Sequence, residues 1–170
     1  MTALPAPEHL AQLLAEDGVA VSGAGEGDAA FESALQAAVA ETGGEGGGLG
    51  LIVIDHTPDD LAHLRNIAED VLAVRGADGP LASEVPATVI VRSPEGVAAA
   101  SDSHPPAVVS QAATAMAVEP DYPASVAAFA RSLDDAAVIP GPLAAGVGIL
   151  LAAALALTAG CEARRAGRRK

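Results

Sequence analysis

A chain of 170 residues has room for one domain and little more. It carries 22 acidic against nine basic residues, a formal net charge of −13. The split is uneven: positions 1–140 hold four basic and 21 acidic residues, a balance of −17, and positions 161–170 hold five basic and one acidic, a balance of +4. So acidic a body excludes nucleic acid as a partner, because phosphate binding needs Lys/Arg neutralisation, and a single cysteine, Cys161, excludes an internal disulfide or a multi-cysteine metal site.

In chain order, Leu10, Leu13 and Leu14 give a short amphipathic helix over about 7–16, closed by Gly18. Positions 19–22 form a short strand that leads into GAGEGD. Asp28 is placed to cap the next helix, whose Phe31, Leu35, Ala38 and Val39 share one face, and GGEGGG at 43–48 ends it. LIVI at 51–54 is the first convincing strand. It runs into Asp55-His56, then Thr57-Pro58 and two further acids.

Asp59 or Asp60 opens a helix carrying Leu61, Leu64, Ala68, Val71 and Leu72 at three-to-four spacing. A loop of Gly, Asp, Pro and Ser follows to Pro86. ATVIVRSP from Ala87 is the second clear strand, ending at Ser93-Pro94. The stretch 95–118 reads poorly: DSHPPA is a loop, and 108–117 suits either a short helix or a strand. Val126, Phe129, Ala130 and Leu133 mark a last helix. Helices alternating with short apolar strands imply an α/β fold, a small three-layer domain with a mostly parallel sheet.

Positions 136–161 contain no charged residue, and 143–160, LAAGVGILLAAALALTAG, is apolar or small apart from Thr158. About 20 such residues cross a bilayer core. The expected organisation is therefore an α/β domain over 1–138, a transmembrane helix over 139–161 and a basic tail over 162–170. ARRAGRRK beside the helix is a short cluster of the kind that stays cytoplasmic, which places the domain outside the cell membrane. Against this, MTALPAPEHL has neither a basic n-region nor an apolar h-region, so the single helix would have to export what precedes it; the domain-inside, tail-anchored arrangement is the competitor.

VAVSGAGEGD, a helix and then LIVIDH imitate a dinucleotide fingerprint. Glu26 and Asp28 argue against it, since carboxylates in that turn would oppose a pyrophosphate. Asp55 at a strand end would suit phosphotransfer, but the only lysine is Lys170, in the tail. His56 and His63 with Asp55, Asp59 and Asp60 could hold a metal, although a solvated capping loop accounts for them more simply. No Ser/His/Asp or Cys/His arrangement stands out, so no catalytic residue, cofactor or metal is assigned.

The strand ending IVIDH, the Pro-containing loop, LRNIA at 64–68 and then ATVIVRSP resemble a family of single-pass septal membrane proteins of mycolic-acid-producing actinobacteria. The resemblance is best over about 50–95 and weak over 1–48 and 96–135. It implies an extracellular, receiver-like domain without receiver chemistry, which activates a Rip-type peptidoglycan D,L-endopeptidase by engaging the hydrolase's coiled-coil region through a helical insertion. Carried over by position, it makes His56, Pro58, Leu64 and Arg65 the expected partner-binding residues. It implies a non-enzymatic regulator of cell separation, anchored to membrane lipid by the C-terminal helix. The alternative that the residues leave open is a small membrane-tethered enzyme or metal-binding module centred on Asp55, His56 and His63.

Overall fold

The computed structural model describes residues 5–23, 27–42, 48–77, 79 and 81–137. Nine elements follow one another: α1 (Pro7–Asp17), β1 (Val19–Ser22), α2 (Ala29–Thr42), β2 (Leu49–Ile54), α3 (Ala62–Gly76), β3 (Thr88–Arg92), β4 (Val97–Ser101), α4 (Pro106–Ala117) and α5 (Tyr122–Ala137). Apart from the last three residues of α5 they belong to the first of two units, Met1–Asp134; the second, Asp135–Lys170, consists almost wholly of residues outside those described.

The strands form one sheet in the order β1-β2-β3-β4. β1, β2 and β3 run parallel, and β4 returns antiparallel along β3. β2 and β3 are buried at every position, as strands covered on both faces must be. Alternation along them sorts the core into two layers. Ile52, Ile54, Val89 and Val91 face α1 and α3, packing on Leu10, Leu14, Leu64 and Val71. Leu51, Val53 and Ile90 face α2, α4 and α5, packing on Leu35, Met116 and Phe129. Two helices, a sheet and three helices thus make the expected three-layer α/β arrangement.

The strand order departs from the receiver-like expectation. A receiver sheet places its first strand between the second and third; here β1 lies at the edge and the strands follow chain order. A second feature follows from the layers. The β1-to-β2 and β2-to-β3 steps go the same way across the sheet, yet α2 and α3 cover opposite faces. Two such crossovers have opposite hands, so one is left-handed, against the strong right-handed preference of βαβ units. The chain thus leaves β1 toward one face and β2 toward the other.

The stretch 95–118, poorly legible in the sequence, holds β4 and α4. Among the described residues no helix is long and apolar enough to cross a membrane; the expected span, 139–161, lies outside them.

One cation is built into the body. Arg92 is 5% exposed at the end of β3. Its guanidinium donates to the backbone oxygens of Met116 (3.2 Å) and Glu119 (2.8 Å), at the C-terminal end of α4, and lies 4.1 Å from the ring centre of Tyr122. Backbone carbonyls and the negative pole of the helix take the place of a carboxylate partner.

Candidate functional site

The C-terminal ends of β1, β2 and β3 carry Gly23, Asp55-His56 and Ser93. Ser22 pairs with Ile54 in the sheet, so the next residues along, Gly23 and Asp55, stand side by side. Gly23 has φ +94°, and a β-carbon there would come within 2.1 Å of the Asp55 Cγ. Only glycine admits both the conformation and the approach. Asp55 Oδ1 lies 3.0 Å from His56 Nδ1, and His56 is exposed.

At the start of α2 two carboxylates are used locally. Asp28 Oδ1 accepts the backbone N–H groups of Ala30 and Phe31, both at 3.2 Å, and Glu32 Oε1 accepts that of Gly27 at 2.9 Å. The carboxylate of Asp28 occupies the N-terminus of α2 where a dinucleotide fold would place phosphate. The capping role expected of Asp28 is what the structure holds.

Beyond Asp55 the chain is tied to the β3–β4 turn. Thr57 Oγ1 donates to Ser93 Oγ at 3.3 Å and accepts the Glu95 N–H at 3.1 Å; Ser93 Oγ donates to Gly96 O at 3.1 Å. Ser93 is 1% exposed. Asp60 Oδ1 accepts the Ala62 N–H at 2.8 Å and starts α3. The segment from His56 to Asp60 is therefore held at both ends, and presents His56, Asp59 and Asp60 to solvent with Pro58 half-buried.

The four residues carried over by position part company here. His56 and Pro58 lie on this loop. Arg65 is exposed on α3 and donates to Glu69 one turn later at 2.7 Å. Leu64 is fully buried against the sheet and offers no surface to a partner. It belongs to the same apolar stripe as Ala68, Val71 and Leu72, and it is Leu61, half-exposed one residue before α3, that faces outward. His63 is exposed on the first turn of α3, and among the described residues no group of three or more His, Cys, Asp or Glu side chains is arranged to hold a metal ion.

Thr57, Ser93 and Glu95 were not singled out in the sequence. The signal available was a repeated one: two neighbouring strands each run out into a hydroxyl residue followed by proline, Thr57-Pro58 after β2 and Ser93-Pro94 after β3.

A family model described as membrane protein Rv1476 matches residues 6–170. The chain belongs to the membrane protein Rv1476 family. That match spans the layered body and the apolar segment together. No curated protein and no solved structure matches the chain.

Proposed function

We propose that the chain is a non-enzymatic, membrane-anchored regulator that binds and activates an autoinhibited peptidoglycan hydrolase during cell separation, with its α/β domain outside the cell and its basic tail inside. The observation that carries the reading is the loop from His56 to Asp60. It is pinned to the body through Thr57, Ser93 and Asp60, yet turns His56, Asp59 and Asp60 to solvent. A rigid loop with exposed polar tips suits recognition of another protein, because little ordering entropy is lost on docking. Arg65, one turn into α3, is likewise exposed.

Membership of a membrane protein family supports the anchored arrangement, and the cluster of five basic residues at 164–170 supports the orientation through the positive-inside rule. The septal hydrolase as partner rests on the resemblance of IVIDH, LRNIA and ATVIVRSP to the actinobacterial activators.

Orientation is tested with a reporter fused to the N-terminus of the full chain, active on only one side of the membrane. An external signal is the expected result. A reporter active only in the cytoplasm would exclude hydrolase activation outright.

A further inference from the structure

β4 is the antiparallel edge of the sheet, and its free side is not open surface. α3 stands on one side of the edge and α4 on the other, leaving a groove of about 760 Å³ whose floor is Ala98, Ala99 and Ala100. Ala73 lines one wall and Ser110 and Thr114 the other. Leu61, Arg65, Glu69 and Leu72 line the α3 wall as well, and the side chains of the floor itself are small.

The register says which backbone groups point into the groove. Ser93 N–H donates to Gly96 O at 2.8 Å and Asp102 N–H to Ala87 O at 2.9 Å, and Ala99 lies opposite Ile90. Hydrogen-bonded and non-hydrogen-bonded pairs alternate along an antiparallel ladder. Ala98 and Ala100 therefore bond to β3, whereas Val97, Ala99 and Ser101 turn N–H and C=O the other way. Among the described residues nothing pairs with these outward groups.

The geometry points to a β-strand addition site: the groove takes one extended, net-basic peptide segment of a partner protein, paired along β4. Three observations choose this occupant. Unpaired strand groups are satisfied by extended backbone, whereas a helix has already used its own N–H and C=O groups internally. Helices stand on both sides of the edge, so a second copy pairing β4 to β4 would bring its own α3 and α4 against them. The lining is net acidic, with Glu69, Glu95 and Asp102 against Arg65; Arg65 is paired with Glu69, and Arg75 lies 3.7 Å from Asp102, so among the described residues Glu95, at one end of the groove, is the acid without an ion pair. β4 has five residues, about 17 Å of strand, so the fitting segment has about five apolar residues and a Lys or Arg at the end that meets Glu95.

The site goes beyond the regulator reading and does not depend on which protein the loop at 56–60 recognises. Its test uses the full-length protein in lipid nanodiscs and a displayed library of randomised heptapeptides. The expected result is enrichment of apolar peptides with one basic end, whose binding slows hydrogen exchange at the Val97, Ala99 and Ser101 amides. Affinity should fall at least about tenfold in Ala99→Pro, which removes an outward N–H and no bond to β3. It should fall likewise in Thr114→Trp, which fills the groove from an exposed position on the other wall. Failure to enrich any peptide, or equal binding to both variants, overturns the proposal. So does concentration-dependent protection of the same three amides without peptide, which would mean that a second copy fills the groove. None of these outcomes touches hydrolase activation by variants of the 56–60 loop.

Discussion

Asp55 lies where the β-carbon of any other residue at position 23 would have to be: that carbon would sit 2.1 Å from the Asp55 Cγ. The end of β1 and the end of β2 are therefore fitted to each other through a missing side chain. Gly23→Ala must both strain a positive φ and push the Asp55 carboxylate aside, and should cost about 2–3 kcal/mol. Gly27 is the control, since φ is +85° but no atom lies within 4 Å of its added β-carbon. Gly27→Ala should cost only about 1 kcal/mol. Urea denaturation of the two variants measures the difference.

Arg92 holds the far end of α4. A lysine would keep the charge but lose the fork that reaches Met116 O and Glu119 O together. Arg92→Lys should lose about 2 kcal/mol of stability. Tyr122→Leu, which removes the ring under the guanidinium, should lose about 1 kcal/mol from that contact, and the double variant should lose less than the sum.

Much of this architecture was legible in the sequence, for identifiable reasons. Apolar spacing located α1, α2, α3 and α5, and runs of Val and Ile located β2 and β3. Asp28 was legible as a cap because its chemistry is local. β4 was not: Val97-Ala-Ala-Ala-Ser101 has little β-propensity and no alternation, and it becomes a strand because β3 and the flanking helices leave it no other place. The strand order was not legible either, since β1 at the edge and the left-handed crossover are tertiary facts that no local pattern encodes. Leu64 carries a sharper lesson. Its three-to-four spacing with Ala68 and Val71 already assigned it to the core, and that periodicity was a better guide than position in a resembling family. Thr57 and Ser93 escaped notice because what links them is 36 residues of chain and one hydrogen bond.

The loop from His56 to Asp60 should loosen when its tie to the β3–β4 turn is cut. Thr57→Val keeps the shape of the side chain and removes both the donor to Ser93 and the acceptor for Glu95. About 1–2 kcal/mol should be lost. Hydrogen exchange should quicken locally at Glu95, with the amides of β2 unaffected.

Contact and packing separate in a comparison of three alanine variants. Leu64→Ala removes a fully buried side chain from the α3 stripe and should cost about 2–5 kcal/mol of stability. His56→Ala and Arg65→Ala change exposed residues and should stay within about 0.5 kcal/mol of the parent. On the regulator reading those two variants weaken hydrolase binding at least about tenfold in calorimetric titration.

The central claim is tested by adding the full-length protein, in lipid nanodiscs, to the autoinhibited D,L-endopeptidase of the same cell and measuring peptidoglycan cleavage. A rise in cleavage, saturating with the added protein and reduced in His56→Ala and Arg65→Ala while the fold is retained, is the predicted result. Unchanged cleavage at saturating concentration, with no binding to the hydrolase, would contradict it.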